Sequence, residues 1–514
     1  MNRIKPSLAA GVSLAFVSCF ASAQIIDPAL AGNASELSSE RRGLAVAPAP
    51  LSAATASEAI AATDPRRSFA VTDKAILAQF TFKETMETIV MRGGLDRSRA
   101  LPLFRQWWDT QNRKPGIGPG SHCDDQILQG QTTFNGFKYE CPRGEGALAQ
   151  SNPFIFGPDS FEPVGLFNRF DLAPADGADC GEYRIVFAKG SGQVNFADRN
   201  LVIFEATLPN PRPQAGLDGC VRVAEFWDKL SRTNNVSQRA SQLKQFYFTG
   251  LPGFRPVVHP DNYGAGPSGK GQIRSNQFMT FQSGGNWVLR EFKLFRGDSN
   301  LVPCPADRPC PLAGMRPQTV KTNPSATLFS DNTETARTFR THFVNQQVAN
   351  LAVPDINRFT FTPPKFFNTG ESQEQGTDND YVFAFSNSPP SFRVQIQNKL
   401  NQIGSRLTPD QIIARAQAMS CAGCHQLSGF ADIGGGQPNW PGTLGFVHVT
   451  EQFTETGPDG ERFPISQALT DVFLPHRQNV LRDYLNSRAS LPRCDVPCKD
   501  SAGRPQVCSE ICRP

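Results

Sequence analysis

Apolar positions change their spacing along this chain. In "TDKAILAQFTFKETMETIV" (72–90) Ile76, Leu77, Phe80, Phe82, Met86 and Ile89 recur at helical intervals, and Thr72 with Asp73 can cap the start. A globular region is expected to begin there with a helix. Over the next two hundred residues short strand-like runs take over: "PVGLFNRFDL", "EYRIVFA", "NLVIFEATL", "GQIRSNQFM" and "WVLREFKLF". Two helical patterns, "RVAEFWDKLSR" and "SQRASQLKQFYF", interrupt them. A further helix is expected at "TETARTFRTHFVNQQVANLA", then strands at "INRFTFTPPKFF" and "NDYVFAF" before the turn "SNSPPS". A soft boundary is placed near residue 355. After it, "FRVQIQNKLNQIG" and "TPDQIIARAQAMS" read as helices, the second with Thr408 at the cap and Pro409 at the first helical position. A glycine-rich loop, a hairpin around "TGPDGER" and a closing helix "PHRQNVLRDYLNS" follow.

Composition narrows the class. The 514 residues are 39% hydrophobic, enough for substantial cores, and 43 glycines with 41 prolines argue for many turns rather than a helix bundle. With 51 basic against 47 acidic side chains there is no large single-sign field, so neither nucleic acid nor an anionic membrane is indicated as the main partner. The first residues, "MNRIKPSLAAGVSLAFVSCFASAQ", have a basic start, an apolar run from Leu8 to Phe20 and small residues at Ala21 and Ala23. This reads as a secretory signal peptide over 1–23, since a membrane span needs about 18 or more apolar residues. A lipoprotein signal using Cys19 is a weaker fit, because Phe16 stands where leucine is expected. No later segment is apolar enough to span a bilayer. Residues 24–66, rich in Ala, Ser and Pro, read as a flexible leader.

Export lets thiols pair. Apart from Cys19, Cys421 and Cys424, ten cysteines remain, grouped as Cys123 and Cys141, Cys180 and Cys220, Cys304 and Cys310, and the tail set Cys494, Cys498, Cys508 and Cys512. Nested pairs, Cys494 with Cys512 and Cys498 with Cys508, are the simplest arrangement of the tail, although four cysteines permit three connectivities.

The most specific local pattern is "MSCAGCHQLSGF". Covalent haem attachment needs two thiols that reach one porphyrin edge and an imidazole that turns onto the iron, and Cys421, Cys424 and His425 have that spacing. With 13 cysteines and six histidines, composition alone would produce the pattern about four times in a thousand. Two other readings stay open. A redox-active dithiol or plain disulfide has the same C-x-x-C, but a reactive dithiol normally opens a helix whereas this one follows a helical pattern. Structural zinc needs a second ligand pair, and the next cysteine is Cys494.

The segment resembles the haem-binding part of c-type cytochromes, over about 20 to 40 residues. The resemblance implies one covalent haem c on Cys421 and Cys424 with His425 as the proximal iron ligand. It departs from many small members in its sixth ligand, because no methionine follows Met419. His448 in "GFVHVT" is the first candidate for bis-histidine ligation, His476 is the other downstream histidine, and an open or water-bound iron and a ligand from the body remain alternatives.

Elsewhere, Arg169, Asp171, Glu182 and Arg184 alternate on two strand-like runs and can form either an ion-pair ladder or a cationic floor for haem propionates or an acidic substrate. Arg274 with Asn276, and Arg290 with Glu291, invite the same readings. "DIGGGQPNWPG" is expected to wrap a haem edge near Trp440, and Trp107 and Trp108 to be core aromatics rather than a relay or sugar-binding surface.

The expected fold class is α+β: a disulfide-stapled mixed α/β body (67–355), a mainly helical cytochrome c-like haem segment (356–490) and a Cys-rich tail (491–514). The expected function is that of a periplasmic or secreted monohaem electron carrier with a redox partner protein and no transmembrane segment. A haem-dependent peroxidase or oxygenase, or a binding protein with only a Cys421–Cys424 disulfide, are the alternatives.

Overall fold

The structure is a computed structural model that describes residues 64–280, 286–297, 309–374, 376–499 and 503–511. The expected signal peptide and nearly all of the leader lie outside the described residues. No described helix is long and apolar enough to cross a membrane.

One antiparallel sheet organises the chain. Its strands are β1 (Ala70–Val71), β2 (Phe161–Arg169), β3 (Asp179–Lys189), β4 (Asn200–Pro209), β5 (Gln272–Gln277), β6 (Val288–Arg296), β7 (Leu312–Gln318) and β8 (Glu371–Gln373). They pair in sequence order from β1 to β7, and β8 shares the outer edge of β6 with β7. The five strand-like runs of the sequence are β2 to β6. β7 and β8 carried too little alternation to be anticipated.

Both faces of this sheet are covered, but by different chemistry. On one, Tyr183, Ile185 and Phe187 of β3 stand beside Phe204 of β4, Ile273 of β5 and Phe292 of β6. Helices α1 (Phe82–Arg92) and α2 (Ala100–Asp109) press aromatics onto that face: Phe82 lies 5.2 Å from Phe187 and Trp107 5.6 Å from Phe292, centroid to centroid. Trp107 and Trp108 stack on each other at 4.9 Å and are fully buried, as core residues. Helix α3 (Val221–Ser231) adds Trp227, stacked on Tyr183 at 5.7 Å, and α4 (Val236–Lys244) leads into Phe246 beside the same ring. The other face carries the alternate residues, many of them charged, and is roofed by the later part of the chain.

Local signals account for most helices. In α7 (Pro409–Ala418) Thr408 and Gln411 form a reciprocal capping box with Pro409 at the first position. Helices α5 (Glu334–His342), α6 (Pro390–Gln402) and α8 (Leu474–Asn486) and the hairpin Glu455–Gly457 with Gly460–Arg462 also fall where the pattern places them. Three expectations fail. The single helix over 72–90 is two pieces, Lys74–Leu77 and α1, because extended Thr81 turns its hydroxyl onto Glu84 N (3.1 Å) and starts a new helix. "NDYVFAF" is helical at Tyr381–Ser386, since Asp380 caps it through Phe383 N (2.9 Å) and Tyr381 and Phe385 then share one buried side. Nor is "INRFTFTPPKFF" a strand: Pro363 and Pro364 remove two ladder donors and a short turn at Lys365–Phe367 follows.

Buried side chains form two cores. One spans Phe69 to Val320 and resumes with Cys421 to Ile511; the other runs from Ala326 to Trp440, so residue 355 falls inside it. Three disulfides lie within the described residues: Cys123–Cys141, Cys180–Cys220 and Cys498–Cys508. Cys310 and Cys494 are disulfide-bonded as well, while Cys304 and Cys512 lie outside the described residues. The chain is thus mixed α and β, antiparallel and disulfide-stapled, which suits an oxidising compartment.

Candidate functional site

Because side chains alternate along a strand, alternate residues of β3 to β5, with Phe167 and Arg169 at the end of β2, line one cavity of about 290 Å³. Arg169, Glu182, Arg184, Glu205 and Arg274 form a row across its floor. Arg169 grips Asp171 through two nitrogens, with Nη2 at 2.8 Å. Arg184 reaches Glu182 at 2.5 Å and Glu205 at 3.1 Å, and Arg274 bridges Glu205 at 3.2 Å to Glu291 at 3.1 Å. The ladder and the cavity floor are therefore the same object. Such pairing offsets the large cost of burying charge without itself arguing for extra stability. Glu205, the lone charge in the apolar run "NLVIFEATL", is the residue that sequence reading passed over and that its isolation in that run could have revealed. Burial would raise its carboxyl, but Arg184 and Arg274 dominate and hold it low.

Burial likewise opposes ionisation of Asp171, yet Arg169 and Arg477 bring its carboxyl down to about 2. An unfolded aspartate titrates near 3.9, so the folded value is the lower one. The resulting stabilisation, about 2 kcal/mol, is present above about pH 4 and lost as pH falls towards 2. Urea unfolding should therefore show the stability gap between wild type and Asp171→Asn shrinking by about that amount from pH 6 to pH 2. A constant gap would remove Asp171 from the acid response.

The roof comes from the second half of the chain. After α7 the chain breaks at Met419 and Ser420, and a new turn starts at Cys421 and passes into Gly423–Leu427. Ser420 starts it, accepting Gly423 N on Oγ (3.0 Å) and Cys424 N on its carbonyl (2.9 Å). The motif thus opens a turn instead of closing α7, which corrects the sequence expectation. Glycine is required at 423, because a Cβ there would stand 1.7 Å from the Gln417 carbonyl oxygen. Ser372 of β8 accepts Ala422 N at 2.9 Å and ties the turn to the sheet.

Cys421, Cys424, His425 and His448 all line the cavity, and the two cysteines remain thiols. His425 donates from Nδ1 to the Phe446 carbonyl at 2.6 Å, which leaves the Nε2 lone pair available. It stacks on Trp287 at 5.3 Å. His448 engages Ser466 Oγ through Nδ1 at 2.8 Å, while its Nε2 lies 3.5 Å from Cys424 Sγ. The two imidazole centroids are 4.7 Å apart. Burial pushes His425 down to about 4 and His448 well below its ordinary value, so both rings are neutral near pH 7. His476 and Met419 stand on the same wall.

Other candidates fall elsewhere. Arg290 sits one residue out of phase with Glu291 and pairs on the opposite side with Glu371 (2.6 Å) and the Gln111 side chain. The glycines of the glycine-rich loop do not line the cavity. Gly434, Gly435 and Gly436 take positive φ (66–71°) so the chain can wrap buried Arg415, which donates to the carbonyls of Ile433 (2.7 Å), Gly434, Leu351 and Val353. Trp440, at the loop's end, does line the cavity.

No family model matches the chain, and neither a curated protein nor a solved structure is similar to it at the level of a match. Among the described residues, no three His, Cys, Asp or Glu side chains converge as ligands for a bare metal ion. The arrangement instead offers two thiols and two neutral imidazoles beside a floor of paired arginines.

Proposed function

We propose that this protein is an exported monohaem c-type cytochrome that carries electrons for a redox partner protein. The observation that carries the reading is the meeting of Cys421, Cys424, His425 and His448 on one cavity, with each histidine's Nδ1 engaged away from it. Cys421 and Cys424 would hold the porphyrin through thioethers, with His425 Nε2 as proximal ligand and His448 as sixth ligand. Two cysteines and two histidines are also residues that zinc takes, but no three of them converge as ligands for one metal ion among the described residues, so the arrangement fits this group better than zinc. When bound, the haem supplies a one-electron iron couple. The chain's own part is to hold both rings in the neutral, ligating tautomer and to bring both thiols and both rings onto one cavity. Phe446 and Ser466 fix the rings, as outer partners of metal-bound histidines do.

The test is a reduced pyridine haemochrome spectrum of chain exported from a host with haem-attachment machinery, after denaturing extraction. One c-type haem per chain is expected. A matured chain without covalent haem would overturn the proposal and leave Cys421 and Cys424 as a dithiol. For the sixth ligand, His448→Ala should convert low-spin bands to high-spin ones that respond to cyanide, and an unchanged spectrum would strike His448 from the ligands. A wild type that is already high-spin would favour peroxidase-type chemistry over electron transfer.

A further inference from the structure

Five of the six basic side chains on the cavity wall have their charge or donors engaged. Arg169 has Asp171, Arg184 has Glu182 and Glu205, Arg274 has Glu205 and Glu291, Lys270 has Asp179 at 2.9 Å, and Lys321 donates to Gln272 at 2.8 Å. Arg477 differs. It is carried on the second turn of α8 and is 7% exposed. Among the described residues its nearest carboxylate is Asp171 at 3.8 Å, already held by Arg169 through two nitrogens, and its guanidinium donates no hydrogen bond there. The ring of Phe473, 6.0 Å away, is its other charge-accepting neighbour. A guanidinium presents five donors, and those of Arg477 have no protein partner within hydrogen-bond distance among the described residues while the side chain lines the cavity. Burial and the nearby Arg169 weaken its hold on its proton, and an anion would reverse that.

We propose that the cavity takes a carboxylate-bearing ligand on the Arg477 guanidinium. A planar fork aimed into an enclosed space matches a carboxylate through two parallel bonds, which a lysine at the same place would not. Two sources supply that chemistry: a propionate of the haem, in which case the inference rests on the proposed function, or a small free dicarboxylate, in which case it does not.

The experiment uses full-length matured chain as wild type, Arg477→Gln and Arg477→Lys, the last keeping a charge in the core so that at least one variant folds. Succinate is titrated by calorimetry, and the pH dependence of the reduction potential is followed on any haem-loaded chain. For a free ligand, wild type binds succinate and Arg477→Lys weakens it about tenfold or more. For a propionate, succinate does not bind, and the proton-linked step in the potential moves up by about one pH unit in Arg477→Gln, where the carboxylate loses its cation, and by less in Arg477→Lys, which keeps one. Either result supports the inference. A wild type that binds no succinate, together with a pH profile shared by wild type and Arg477→Gln, overturns it. If the chain matures without haem, the succinate titration alone decides, so failure of the haem assignment and failure of the Arg477 inference are read separately.

Discussion

Chain carrying Cys421→Ala with Cys424→Ala should emerge from export with no haem that survives denaturing extraction, a loss of the entire covalent signal. The effect is large because it is chemical. Each thioether needs its own sulfur, and no other described cysteine is left as a thiol to substitute. The structural cost of the two changes is small by comparison. Cys421 is buried and Cys424 half-buried, and trimming each side chain to alanine removes one sulfur, about 1 kcal/mol per site against the whole fold. Circular dichroism of the double variant should therefore match wild type. Intact-mass spectrometry of denatured protein makes the comparison direct: wild type carries the mass of one haem and the double variant does not. A double variant that kept that mass would mean attachment elsewhere, and the motif would lose its assigned role.

The second large effect is expected far from the thiols. Arg199, immediately before β4, donates from Nε and Nη2 to the two oxygens of Glu451 at 2.8 and 3.0 Å, and both side chains are essentially without solvent contact. Arg199 also reaches the Gly445 carbonyl at 3.3 Å and lies over Phe278. This fork holds the segment 445–451, which contains both the Phe446 carbonyl that orients His425 and His448 itself. Glu451→Gln keeps the shape but leaves a buried guanidinium without its counter-charge, a change that costs about 3–5 kcal/mol. Urea denaturation should show that drop, and a haem-loaded variant should gain high-spin character because His448 is less well placed. Replacing both partners with apolar residues of similar volume should recover most of the stability, since the loss comes from one uncompensated charge rather than from a missing bond. A Glu451→Gln chain as stable as wild type would mean that water enters beside Arg199.

The haem-type motif was legible because its chemistry is local. Two sulfurs and an imidazole within five consecutive residues need no tertiary information to be recognised. The cap at Thr408 with Pro409 after it and the runs that became β2 to β6 were legible for the same reason, because spacing along the chain carries them; the grouping of Cys123 near Cys141 and Cys180 near Cys220 was visible too, but that these groups are the bonded pairs came from the fold. The misread segments show where this ends. Thr81 and Asp380 are caps that override the hydrophobic pattern around them, splitting one helix and converting an apparent strand into another.

Local order therefore dictates most of the elements, the cysteine groups and the C-x-x-C-H motif. The tertiary structure decides what those parts do together. Arg274 and Arg290 look alike in their strands, yet strand register sends one to the cavity floor and the other to the opposite face, because a single-residue offset in a period of two reverses a side chain. Which histidine stands beside His425, which arginine lacks a carboxylate within hydrogen-bonding distance and whether a glycine loop reaches the cavity all depend on segments brought together from opposite ends of the chain. Those contacts follow from how the second half of the molecule packs against a buried, charged sheet face, and no local periodicity encodes that packing.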